Sequence, residues 1–328
     1  MRIAAALLFL FTGLNAQANV SWHTITPEIQ FLKQQSKLRF YDSNQVLIEG
    51  KKCALMVDAS GNFAEVESLA KQLKQRLKTP LCYLVASHFH DDHLLGLAVL
   101  QAEFPDAKLI VHQQVASEFA AMQQALKDKL DGYEKSIELS YQRLANQPED
   151  QQTIWRDKLT LAKQRLFRWR KLSLNPPAIS VSKQTSLELG HYPITLTPYR
   201  AHTQGDLTIT ADHGRVLVGA DIVDSLPYPG HGELENWLAT LKKIHNNTEL
   251  VTILPGHGEQ LNTAELAKPI AFLNAIITLT KAQPDKSVEE LIELFPEQIK
   301  QQYQLDEIGN QAFTMFLEAG LKKAKLSK

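Results

Sequence analysis

Apolar positions recur along this chain in two rhythms. From Leu38 to Cys82 short apolar runs alternate with a helical spacing: Val46-Leu47-Ile48 and Cys53 to Val57 predict strands, while Val66, Leu69, Leu73 and Leu77 share one stripe and predict a helix over Phe63 to Leu77. A strand over Leu81 to Ala86 follows, then a helix opening near Asp92, then a strand over Leu109 to Val111. This alternation predicts an α/β architecture with helices packed outside sheet. Residues 113 to 175 have a different rhythm. Val115, Phe119, Met122, Leu126, Leu130, Tyr133, Ile137, Tyr141 and Leu144 recur every three or four positions, which predicts one helix about 45 Å long. Asn146-Gln147-Pro148 interrupts it, and Trp155, Leu159, Ala162, Leu166 and Trp169 resume the period, so the insert reads as an antiparallel helical hairpin. It is either a packed insertion or dimer surface, or a cap over an active site. After Asn175-Pro176-Pro177 strand signals return at 187–189, 194–196, 207–210, 216–219 and 250–254, so the sheet is built from both sides of the insert. Residues 263–328 read as a helical tail, a structural appendage, with Ser287-Val288-Glu289-Glu290 shaped like a capping box.

The first residues change the picture. Met1-Arg2, an apolar run from Ile3 to Leu14 and Ala16-Gln17-Ala18 have the layout of a cleavable secretory signal over residues 1–18, with a mature chain starting near Asn19; an uncleaved N-terminal anchor is the other reading. The run is shorter than the roughly 20 residues a membrane-spanning helix needs, and no cysteine follows it to carry a lipid. The expectation is a periplasmic or secreted protein with no membrane association after cleavage, residues 19–328 forming a single domain. Lys+Arg 35 against Asp+Glu 36 leaves a net charge of −1, so nothing in the total calls for nucleic acid or anionic membrane. Arg165, Arg168, Arg170 and Lys171 form a small basic group that reads as a solvated helix face. The two cysteines, Cys53 and Cys82, each head a strand-like run; in an oxidising compartment they could bridge if those strands are neighbours.

Potential chemistry concentrates in His88-Phe89-His90-Asp91-Asp92-His93, directly after the buried strand ending at Ala86. The C-terminal end of a strand is where α/β proteins commonly place function. Side chains two apart on extended backbone point the same way, so His88 and His90 can reach one metal, and Asp92 and His93, opening the next helix, can reach a second. Three later residues, each ending a strand-like run, complete the set: His202 in Ala201-His202-Thr203-Gln204-Gly205-Asp206, Asp221 in Gly219-Ala220-Asp221, and His257 in Pro255-Gly256-His257-Gly258. His23, His112, His191, His213 and His245 lie outside any ligand pattern; His231, on the loop after Asp221, either reaches substrate or is simply exposed.

The H-x-H-x-D-H motif followed in order by His, Asp and His resembles the metallo-β-lactamase superfamily over roughly Leu38 to Gln260. The resemblance implies an αββα sandwich with two zinc ions at one edge: His88, His90 and His202 on one, Asp92, His93 and His257 on the other, Asp221 bridging, and Asp58 behind the ligand loop as an orienting partner. Two such ions lower the pKa of a shared water toward 7 and polarise a carbonyl or phosphoryl oxygen, while Asp92 orients the nucleophile and accepts its proton. The implied function is hydrolysis of a small-molecule carboxylic-acid derivative: ester, thioester, lactone or β-lactam. Where cysteine-bearing zinc β-lactamases place Cys and, three residues on, Lys, this chain has Asp221 and Asp224, whose charge would repel a carboxylate; true β-lactamase is therefore the second reading, and a non-catalytic metal-binding or partner-binding module the third. Iron is disfavoured because the position where redox relatives use a carboxylate is His90.

Overall fold

The computed structural model describes residues 21–35, 38–40, 42–303 and 306–326; the predicted export signal lies outside them. Among the described residues, β1 (Ser21–Thr26), β2 (Ile29–Lys33), β3 (Gln45–Glu49), β4 (Ala54–Val57), β5 (Leu81–Val85), β6 (Lys108–His112) and β7 (Ile179–Val181) pair in that order in a seven-stranded sheet. Pairing is antiparallel from β1 to β4 and parallel from β4 to β7. A second sheet runs in the order β12 (Thr252–Pro255), β11 (Val216–Ala220), β10 (Asp206–Ala211), β9 (Pro193–Tyr199), β8 (Thr185–Glu188).

The sheets stack face to face because their strands are apolar on both sides. Val46, Ile48, Leu55 and Val57 meet Ile194, Leu196, Ile209 and Val218 between the sheets. Their neighbours Leu47, Ala54 and Met56 turn outward under a helical layer. That layer is α1 (Phe63–Arg76), α2 (Asp91–Leu94), α3 (Leu97–Glu103), α4 (Gln113–Ser117), α5 (Phe119–Leu144) and α6 (Glu149–Trp169). α1 buries Val66, Leu69 and Leu73, and carries Glu65 in its first turn and Lys74 and Arg76 in its last, as the helix dipole favours.

Four expectations change. The helix predicted as continuous from residue 113 breaks at Glu118 (φ −104°, ψ 18°). The break lets α4, whose first turn is capped by the His112 side chain accepting from the Gln114 N–H, follow the sheet, while α5 turns away to pair with α6. β1, β2 and β7 carry no strand prediction: β1 is half-exposed and β7 has three residues, too little apolar pattern to register. The tail is not an appendage. Together with α7 (Leu234–His245), helices α8 (Ala267–Ala282), α9 (Val288–Leu294), α10 (Glu297–Gln301) and α11 (Glu307–Leu326) form the layer over the second sheet, burying Trp237, Phe272, Phe313 and Leu321 with Leu217 and Ile253. Removing them would strip that face. Finally, the cysteine pair left open by the sequence is bonded: Cys53, just before β4, and Cys82, on the parallel neighbour β5, have Cα atoms 5.6 Å apart. No helix among the described residues is long and apolar enough to cross a membrane.

Candidate metal centre

Five strand ends converge at one edge of the sandwich, and each hands over one part of the site. Asp58 leaves β4 in the left-handed region (φ 61°), a conformation costing of order 1–3 kcal/mol that persists only where surrounding bonds fix it. Those bonds are present: its carboxylate accepts the Ser87 N–H at 2.7 Å and the Ser87 hydroxyl at 2.7 Å, and lies 2.8 Å from His93 Nδ1. Asp58 thereby ties the loop after β5, which bears His88 and His90, to α2, which bears His93. Across the site the buried Asp206 does the same for the loop between β9 and β10, accepting from Ala201 N–H (3.0 Å), Thr203 N–H (2.9 Å) and the Thr203 hydroxyl (2.6 Å) on either side of His202. Asp221 follows β11 through Ala220, also at positive φ (45°). His257 arrives after β12, beside a glycine whose replacement would displace Asp221, since a Cβ on Gly256 would stand 1.9 Å from Asp221 Oδ1.

All seven residues singled out in the sequence meet here. Ligand-type atoms of His88, His90, His202 and Asp221 lie within 4.8 Å of one another, as do those of Asp92, His93 and His257. His202 Nε2 is 3.1 Å from His90 Nδ1, and His257 Nε2 is 3.3 Å from both His93 Nε2 and Asp92 Oδ2. The Asp221 carboxylate spans the two groups: Oδ2 is 3.6 Å from His88 Nε2, 3.4 Å from His202 Nε2 and 3.5 Å from His257 Nε2, and Oδ1 is 3.0 Å from His93 Nε2.

The electrostatics differ across the pair. Burial, reinforced by the neighbouring imidazoles, holds His88 and His202 well below the ordinary histidine pKa and lowers His90 to about 4. On the other side burial opposes charge too, but Asp221, Asp92 and Asp58 outweigh it at His93, and Asp221 and Asp224 push His257 up to about 10. Asp221, which burial alone would raise, is held well below the carboxylate range by His93, His257 and His88. Protons on His93 and His257 thus supply positive charge that this cluster of carboxylates demands, charge a cation could supply instead. His88 Nε2 is buried without a hydrogen-bond partner, a state costing about 1–3 kcal/mol unless something accepts its lone pair. The donors fit a metal.

Residues 38–257, well over half of the chain, match the sequence pattern of the metallo-beta-lactamase superfamily. The chain belongs to this superfamily. Two solved structures share its fold: a metallo-beta-lactamase from Pontibacter korlensis (15% identity, TM-score 0.54, 78% of this chain and 99% of that one) and the DIM-1 metallo-beta-lactamase (16%, 0.52, 78% and 97%). No curated protein sequence matches it.

On this metallo-beta-lactamase fold the centre opens into a cavity of about 900 Å3. His90, Asp92, Asp221 and His257 line it, together with Lys129 and Tyr133 from α5 and Phe316 from α11. The hairpin is therefore part of the cavity wall. His231, left undecided by the sequence, places Nδ1 2.6 Å from His90 Nε2; only its position on the loop after Asp221 hinted at this. Asp224 is buried and accepts the His257 N–H at 3.0 Å. That bond lets it position the His257 loop; burial, then the charge of Asp221, raises its pKa well above the carboxylate range. Arg168 and Arg170 pair within the protein, with Glu67 and with Asp131 and Glu134.

Proposed function

We propose that this chain is an exported hydrolase of carboxylic-acid derivatives that works with two zinc ions. His88, His90 and His202 hold one ion, Asp92, His93 and His257 the other, and Asp221 lies between. The observation that carries the reading is the buried, partnerless Nε2 of His88 among imidazoles that burial keeps neutral, the protonation state a ligand needs. Imidazole and carboxylate donors without thiolate suit zinc. When bound, such ions supply Lewis acidity that brings the pKa of water toward neutrality and polarises a carbonyl. Asp92, partly exposed at the cavity, orients the attacking water and takes its proton. Asp58 fixes His93 through Nδ1 and so aims Nε2 inward. His231 does the equivalent for His90: with Nδ1 turned inward, the His90 Nε2–H donates to His231 Nδ1, which leaves the remaining His231 N–H for the cavity it lines.

Both structural neighbours are metallo-beta-lactamases, so β-lactams are among the bonds to test, and the complete donor set argues against a non-catalytic module. Export is supported by the Cys53–Cys82 bridge, since such bonds persist in oxidising compartments. The test is zinc content by plasma emission spectrometry together with turnover of a chromogenic cephalosporin, a thioester, a lactone and a phosphodiester. About two zinc ions per chain are expected, with hydrolysis of at least one carboxylic-acid derivative that His90→Ala abolishes. A protein purified in zinc that holds none would overturn the site; turnover of the phosphodiester alone would overturn the substrate class.

A further inference from the structure

The hairpin brings one cation into the cavity. Lys129 lies on α5, one turn before Tyr133, and its amine ends beside the loops of the metal centre: a Cβ on Gly61 would stand 3.3 Å from Lys129 Nζ and 3.2 Å from Asp92 Cα. Gly61 thus lies beside both. Among the described residues the ammonium forms no ion pair and donates no hydrogen bond. The polar groups around it are occupied. Asp42 accepts from the Ser60 hydroxyl and from the N–H groups of Gly61 and Ser43, Asp92 Oδ2 faces His257, and the Tyr133 hydroxyl donates to the Gly61 carbonyl. Asp91 borders the same cavity and interacts with Lys129 only at longer range. Burial disfavours the charge on Lys129, yet Tyr133, Asp91, Asp42 and Asp92 together hold its pKa above the ordinary lysine value. The ammonium lies over the Phe63 ring, 6.0 Å from its centroid, and no carboxylate of the described residues reaches ion-pair distance, so an incoming anion would be its first direct charge partner. The lining also carries an aromatic group: Phe316 packs edge-on against Phe40 (6.4 Å) and Tyr228 (5.1 Å).

We propose that Lys129 is a substrate-recognition residue that receives the carboxylate of an acyl substrate, whose apolar part rests on the Phe40, Tyr228 and Phe316 side of the cavity. The proposal rests on the hydrolase reading for its substrate class, and it gives the hairpin a role: carrying the anion-binding group to the metal centre. The probes are N-phenylacetylglycine and its amide, titrated calorimetrically into zinc-loaded protein, so that no turnover is required. The acid should bind wild type more tightly than the amide. Lys129→Met should weaken the acid by about tenfold, leave the amide within about twofold, and Lys129→Arg should restore most of the preference. Zinc content and Tm are measured alongside. Equal weakening of both probes by Lys129→Met, or no measurable binding of the acid to wild type, overturns the proposal. So does a loss of zinc or of Tm in Lys129→Met, which would assign Lys129 to holding Asp91 and Asp92 in place. A failed hydrolase reading shows separately, as zinc-loaded protein that turns nothing over while the selective loss of acid binding persists.

Discussion

Asp58 and Asp206 stand behind the site from opposite sheets, and each holds a ligand-bearing loop through main-chain N–H groups. Burial outweighs the hydrogen bonds from Thr203 and Ala201 and raises Asp206 from 3.8 to about 7. The folded carboxyl therefore keeps a proton that the unfolded chain has already released, and between about pH 4 and pH 7 stability falls as pH rises, then levels off. In metal-free protein Asp206→Asn should flatten this part of a Tm–pH curve; an unchanged slope would show that another group sets it. At this scale the sequence was informative wherever donors are close in the chain. His88, His90, Asp92 and His93 declare themselves by density, and Asp58 by ending a strand. His231, Lys129 and Phe316 gave no such signal, because what makes each of them functional is a neighbour far away in sequence: 141 residues separate His231 from His90.

The helical hairpin is anchored as a unit. Trp169, near the end of α6, is 3% exposed, sits 5.6 Å, centroid to centroid, from both Phe63 on α1 (edge-on) and Tyr133 on α5 (tilted), and donates Nε1–H to Glu67 at 3.0 Å. Trp169→Ala should cost about 3–5 kcal/mol of unfolding free energy in a denaturant titration, from the cavity it leaves. Zinc content should hold, since no donor of the metal centre touches that ring. The hairpin was legible because its apolar stripe repeats over many turns, averaging out local ambiguity. The turn at Glu118 was not, because Val115 and Phe119 keep helical spacing on both sides of it while the packing partner changes from sheet to helix. The β1–β2 pair escaped for a related reason: Ile29, Phe31 and Leu32 are buried, but their partner strand leaves Ser21, His23 and Thr24 exposed, and pairing depends on register that composition does not encode.

For the molecule as a whole, the disulfide and the metal centre sit at opposite ends of the same strands. Cys53 precedes β4 and Cys82 lies near the start of β5, whereas Asp58 and His88 follow those strands. Replacing both cysteines by serine should remove about 3–4 kcal/mol of stability, the amount expected from chain entropy for a 29-residue separation. Zinc content and turnover should be unchanged at temperatures where the variant stays folded. The apolar runs made most strands readable but did not assign them to sheets, because strands buried on both faces look alike whichever sheet they join; the αββα sandwich was legible through the motif's resemblance, and the two stacked sheets bear it out.

The connection between α5 and α6 runs through Asn146 and Gln147, with four of the candidate donors encoded before it and three after. A chain cut there would yield two pieces, each with one helix of the hairpin and an unfinished set of ligands: the first with six strands of the seven-stranded sheet, the second with its last strand, β7, and the whole second sheet, both inner faces uncovered. Their reunion would close the sandwich and complete the site in one event, which makes the hairpin tip a natural seam for a complementation pair whose reassembly is reported by zinc capture.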